Sequence, residues 1–145
     1  MKYLTHSGAE TERLGEAFSD ELKRRALTDG IILIKGDVGT GKTTFIRGVC
    51  RFFGYFRVKS PSYTIVNEYK GGDLDIYHFD FYRLTDPRET DSIGVDDYFV
   101  KSGLKLCEWP EQIEQIETDV LAIVSIERGA GESDRQIEII RAGEE

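Results

Sequence analysis

The spacing of apolar positions changes several times along the chain, and each change marks an element. Leu14, Ala17, Phe18 and Leu22 recur at helical spacing and predict an amphipathic helix running to about Ala26. Ser7-Gly8-Ala9-Glu10 ahead of it has the Ser and Glu of a capping box. Thr28-Asp29-Gly30 reads as a turn. Ile31-Ile32-Leu33-Ile34-Lys35 is a nearly unbroken apolar run, the pattern of a strand buried on both faces of a parallel sheet. Phe45, Ile46, Val49, Cys50, Phe52 and Phe53 then share one helical face, and Gly54 is placed to end that helix.

Beyond this point strands dominate. Val58 to Ser62 reads as a loop, Tyr63 to Tyr69 as a strand, Gly71-Gly72-Asp73 as a turn and Asp75 to Leu84 as the second strand of a hairpin. Asp86-Pro87 opens a short helix and Val95 to Val100 forms another. Leu104 to Trp109 is a strand, and Pro110 to Ile116 a short helix or turn. Val120 to Glu127 and Gln136 to Arg141 are late strands joined through Gly129-Ala130-Gly131. There are no repeats and no low-complexity stretch. With Gly36 to Thr43 fitting the phosphate-loop pattern G-x-x-x-x-G-K-[ST] between the apolar strand and the second helix, this order predicts an α/β fold of the P-loop NTPase kind, a three-layer core with a mixed sheet and a late antiparallel extension. At 145 residues the expectation is a single domain over 1–145.

The loop between the apolar strand and the second helix carries the chemistry. Gly36-Asp37-Val38-Gly39-Thr40-Gly41-Lys42-Thr43 fits G-x-x-x-x-G-K-[ST]. Its glycines let successive backbone N–H groups turn inward around phosphate oxygens. Lys42 brings an ammonium to the β- and γ-phosphates, the Thr43 hydroxyl suits Mg²⁺, and the following helix points its positive end at the anion. Strand, loop and helix is the setting this pattern requires, which argues against a glycine-rich turn that binds nothing.

Composition narrows the class. No apolar stretch approaches bilayer length, and Met1 to His6 lacks the apolar core of a signal peptide, so a cytoplasmic protein with no membrane partner is expected. Cys50 and Cys107 sit inside apolar patterns and read as buried, reduced thiols. No CxxC or clustered His suggests zinc. Acidic residues outnumber basic ones 27 to 19, for a net charge of −8. Such a chain repels nucleic acid, so unaided binding of DNA or RNA is disfavoured.

Three further features bear on the reaction. Asp80, within Ile76-Tyr77-His78-Phe79-Asp80-Phe81-Tyr82-Arg83, suits Mg²⁺ or the attacking water, or is simply a surface strand carboxylate. Glu108 ends an apolar strand, where ligands bind in open α/β sheets, or is a solvated strand end. Ser60-Pro61-Ser62-Tyr63-Thr64 has the hydroxyls of a γ-phosphate switch, or is a plain turn. His78 shares the Asp80 face by alternation and either orients Asp80 or packs. A guanine-reading N-K-x-D is absent, since Asn67 is the only asparagine. Asp91-Ser92-Ile93-Gly94 fits D-x-x-G but follows no apolar strand. Nucleotide-sensing modules and small-molecule kinases stay open on these residues, although no Arg-rich lid is visible.

The ordered set GDVGTGKTTFIRG, VKSPSYTIVNEY, YHFDFYRL, IGVDDYF and CEWPE resembles the TsaE (YjeE) family, the ATPase component of bacterial tRNA threonylcarbamoyladenosine (t6A) biosynthesis. The likeness runs from about Ser7 to the final strand. Thr40 stands where many members have Ala, and Ser62 where many have Thr. The resemblance implies a Mg²⁺-dependent ATPase, weak alone, with ATP or ADP as ligand. Its partners would resemble TsaD and TsaB, and tRNA would be reached only through their complex. Val38, Gly39, Thr40, Gly41, Lys42, Thr43 and Thr44 would wrap the phosphates. Thr43 and Glu108 would hold the metal, and Asp80, Glu108 and Lys42 would be catalytic. Thr64 with Ser60 would form the switch, Thr11 would be an adenine-side contact, and Arg135 would lie near the base or ribose. Trp109 matches the family's EW motif or is a core aromatic.

Overall fold

The computed structural model describes residues 1–61, 65–84, 94–112 and 119–144. In chain order the elements are β1 (Lys2–Thr5), α1 (Gly8–Arg24), β2 (Gly30–Lys35), α2 (Lys42–Phe52), β3 (Val66–Tyr69), β4 (Ile76–Asp80), α3 (Val95–Phe99), β5 (Leu104–Glu108), a 3-10 turn (Pro110–Gln112), β6 (Val120–Arg128) and β7 (Arg135–Arg141). Among the described residues the strands make one mixed sheet, ordered β1-β7-β6-β2-β5-β4-β3. β2 runs parallel to β5 and β6, and β4 parallel to β5. The edges are antiparallel, with β7 pairing β6 and β1 on one side and β3 pairing β4 on the other. The α/β class and the late antiparallel extension are as the sequence predicts.

Helices α1 and α2 cover one face, burying Phe18, Leu22, Phe45, Ile46 and Val49 against Ile32, Ile34, Leu106 and Val124. On the other face α3 brings Val95 against Tyr77, Phe79, Phe81 and Cys107. Ser7 caps α1 by accepting the Glu10 amide at 3.1 Å, while the Glu10 carboxylate accepts from the His6 amide rather than from Ser7. Ala17, expected inward, is exposed; Gly15 and Ser19 occupy the buried stripe instead. Close approach explains the change. A Cβ on Gly15 would stand 2.4 Å from Phe45 O, and one on Gly48 2.0 Å from Glu12 O. The Ser19 hydroxyl donates to Val49 O across the same seam.

Gly48→Ala is therefore expected to lower stability by about 2 kcal/mol or more, because backbone rather than a flexible side chain blocks the methyl. Alanine's helix preference returns only about 1 kcal/mol. Thermal unfolding followed by circular dichroism should show a drop of about 5 °C or more. An unchanged melting temperature would contradict the close seam.

Several elements differ from expectation. β1 is not among the predicted strands. β4 stops at Asp80 rather than Leu84, because Asp80 Oδ1 accepts the Tyr82 amide at 3.0 Å and turns the chain. β5 stops at Glu108, since Trp109 takes φ 55°. The predicted helix at Asp86-Pro87 and residues 62–64 and 113–116 lie outside the described residues. Both cysteines are free and buried, and burial pushes the Cys50 thiol up to about 12, which keeps it unreactive.

Candidate functional site

Sheet register decides where the site lies. Ile34 on β2 and Asp80 on β4 both pair with Glu108 on β5, so the carboxyl ends of three parallel strands finish at one level. The loop from β2 into α2 leaves from that edge. Gly39 at φ 79° and Gly41 at φ 102° take conformations that side-chain-bearing residues rarely adopt. A Cβ on Gly41 would meet no protein atom within 4 Å, so the space in front of this backbone is open. The first-turn amides of α2 are the unpaired donors every helix carries, and Lys42, Thr43 and Thr44 line that space.

A cavity of about 450 Å³ fills this edge, lined by Val38, Gly39, Gly41, Lys42, Thr43, Thr44, Ser60, Asp80, Tyr82, Glu108, Trp109 and Arg135. A smaller one of about 110 Å³ adjoins it, sharing Gly41, Thr44 and Arg135 and adding Ser7, Gly8, Thr11, Thr40 and Ser133. A larger cavity, about 570 Å³, lies at the opposite end of the sheet around Asp29, Lys101 and Lys105. It contains no part of the glycine-rich loop between β2 and α2, so chemistry rather than size selects the first. The fold thus brings together every predicted site residue except Thr64, which lies outside the described residues.

The side chains are already engaged. Lys42 is buried, and its ammonium donates to Gly36 O and Asp37 O and lies 4.5 Å from the centre of the Trp109 ring. Burial pushes the lysine below its ordinary value, opposed by the charges of Glu108, Asp80 and Asp37. Burial likewise raises the Asp80 carboxyl, against the Tyr82 amide, and neighbouring Glu108 raises it further. The Thr43 and Ser60 hydroxyls are 2.8 Å apart. Thr11 Oγ1 is 2.7 Å from Thr5 Oγ1 in the wall of the smaller cavity. Arg135 donates through Nε to Thr40 O at 2.9 Å, tying the β6–β7 turn to the phosphate loop.

Of the two readings the sequence leaves open for His78, orienting Asp80 or packing, the first is not what the fold shows. His78 does share a strand face with Asp80, but it does not hold it. Its Nε2 lies 2.6 Å from Glu108 Oε2, on the neighbouring strand. Tyr82 and Arg128 were absent from the sequence-based set. Tyr82 pairs with Trp109 at 4.9 Å between ring centres, and Arg128 donates to Val38 O at 3.2 Å. Only the Tyr-Arg pair within YHFDFYRL points to Tyr82, and nothing local marks Arg128, 90 positions from its partner.

The sequence model of a family described as "Threonylcarbamoyl adenosine biosynthesis protein TsaE" matches residues 5–137. The chain belongs to the TsaE family. Proteins named tRNA threonylcarbamoyladenosine biosynthesis protein TsaE are similar to it. That of Haemophilus influenzae (strain ATCC 51907 / DSM 11121 / KW20 / Rd) is 39% identical over 132 residues, covering 88% of this chain and 81% of the relative. That of Bacillus subtilis (strain 168) is 42% identical over 115 residues, covering 78% and 70%. The crystal structure of Bacillus subtilis YdiB shares the architecture with a TM-score of 0.72 and 30% identity, covering 99% of this chain and 86% of that one.

The donor set also bears on a metal. Among the described residues no group of three or more His, Cys, Asp or Glu side chains is arranged to hold one. The cavity offers a threonine hydroxyl and two carboxylates beside a phosphate cradle. That set fits magnesium, which keeps several waters and is usually held by one or two protein oxygens plus the phosphates of its nucleotide. No helix of the described residues is long and apolar enough to cross a membrane.

Proposed function

We infer that this chain, acting as one domain, is a magnesium-dependent ATPase serving tRNA threonylcarbamoyladenosine synthesis, the process its relatives are named for. One observation carries the reading: the glycine cradle at the start of α2, buried Lys42 and the Asp80 and Glu108 carboxylates face a single cavity. The loop amides from Val38 to Thr44 and the Lys42 ammonium bind phosphate oxygens. To do so Lys42 exchanges Gly36 O, Asp37 O and the Trp109 ring for the nucleotide. Thr43 and Glu108 hold magnesium, which neutralises charge on the phosphates.

Asp80 acts on the attacking water. Burial gives its carboxylate a greater appetite for a proton than an exposed aspartate has, which suits proton acceptance. Ser60, already against Thr43, and Thr64 respond to the γ-phosphate. The smaller cavity, with Thr11 and Arg135 in its wall, takes the nucleoside end. The absence of N-K-x-D favours adenine over guanine.

Partners resembling TsaD and TsaB carry out the threonylcarbamoyl transfer. The net charge of −8 is consistent with that division, since gripping tRNA takes several Lys and Arg contacts that release counterions. Phosphate release from ATP, by the chain alone and with a TsaD–TsaB-like complex, tests the reading. Stimulation by the complex supports an accessory subunit, and an equal rate contradicts it.

A further inference from the structure

His78 lies behind the site, against Glu108 of its lining, and the proposed reaction gives it no role. It is completely buried on β4, and its Nε2 contacts Glu108 Oε2. Its Nδ1 is the only buried side-chain nitrogen or oxygen among the described residues with no hydrogen-bond partner. These facts fix the tautomer. A proton on Nδ1 would be a buried donor with no acceptor, at about 1–3 kcal/mol. With the proton on Nε2 the ring donates to the carboxylate, and only a lone pair is left unpaired.

Packing does not explain an imidazole here. An aliphatic side chain would fill a buried place on this sheet face without leaving an orphan atom. The bond to Glu108 is what the ring adds. On β4, Asp80 pairs with Glu108 and His78 pairs with Leu106, so His78 reaches diagonally along β5 to its partner. Asp80 has a different holder, the Tyr82 amide. Each of the two carboxylates in the site is thus fixed by its own donor.

We propose that His78 is a positioning residue for Glu108: it pins one carboxylate oxygen so that the other is presented to the magnesium of the bound nucleotide. This rests on the reading of Glu108 as a metal-holding carboxylate. An unpinned carboxylate rotates and must be ordered each time the metal arrives. Losing such an outer contact usually costs 10–100-fold in metal affinity.

The test is a magnesium titration of the ADP-bound protein, read by calorimetry and by the fluorescence of Trp109, the only tryptophan, on the wall of the same cavity. His78→Leu removes the donor. His78→Gln puts an amide N–H close to where Nε2 stands. The leucine variant should need about 10–100-fold more magnesium, the glutamine variant within about threefold of wild type. ADP affinity without magnesium should be unchanged in both. If the leucine variant does not fold, His78→Asn, whose amide is too short to reach Glu108, takes its place with the same expectation. A wild-type magnesium requirement in the donor-less variant, or a leucine-like one in His78→Gln, overturns the proposal. Glu108→Gln separates the two claims: if it leaves the magnesium requirement unchanged, the reading of Glu108 itself fails.

Discussion

Lys42→Ala is expected to weaken ATP binding about 100-fold or more while leaving the protein folded. Each charge-assisted hydrogen bond in a buried setting contributes about 1.5–3 kcal/mol, and about 2.7 kcal/mol corresponds to a factor of 100 in affinity. Stability should change little. In the free protein the ammonium is buried at a cost, visible in the lowered proton affinity of the lysine, and it is repaid by two carbonyls and a ring. Calorimetric titration with ATP and a thermal melt on the same sample decide the point. Wild-type affinity in a folded variant would remove Lys42 from the phosphate site.

Asp80→Asn should split chemistry from stability. Hydrolysis should fall by on the order of 100-fold, with ADP affinity changed much less, because in the proposed reaction the side chain acts on the water rather than on the bound phosphates. The stability change should run the other way. A carboxyl whose proton affinity is raised on folding opposes folding when ionised. Its contribution is most favourable below the ordinary value of 3.8 and is lost as pH rises through the folded value. Without nucleotide or magnesium, the asparagine variant should therefore melt above wild type at neutral pH. Asparagine can still accept the Tyr82 amide. The gap should close as the pH approaches 3.8. A variant that melts lower at neutral pH would show that the ionised Asp80 is stabilised by its surroundings.

What could be read in the sequence was local. The strand Ile31–Lys35, its loop and the helix after it are consecutive, and their apolar periods differ sharply, so the phosphate cradle is legible from one dimension. The terminal edge strand was not. Lys2–Thr5 is four residues long, points Leu4 outward at 55% exposure, and becomes a strand only by pairing with Arg135–Glu138 at the far end of the chain. The second hairpin strand is shorter than its pattern predicts for a related reason. Phe81 and Leu84 are buried after β4 has ended, so apolar alternation outlasts the strand.

The site shows the same division. Alternation placed His78 and Asp80 on one face, which is correct. It says nothing about which side chain on the next strand each will meet, and His78 meets Glu108. In the sequence Trp109 stands out only as part of a motif. Its left-handed backbone, which swings the indole over Lys42 and against Tyr82, follows from the end of β5 meeting the phosphate loop.

The central claim is that this cavity hydrolyses ATP in the service of a t6A-forming complex. The most direct measurement is phosphate release from ATP by the purified chain, with and without magnesium, and with and without a TsaD–TsaB-like complex, with Lys42→Ala as control. The account predicts slow, magnesium-dependent release by the chain alone, a faster rate with the complex, and none above background from the variant. Release that is indifferent to magnesium, to the complex and to Lys42 would contradict it.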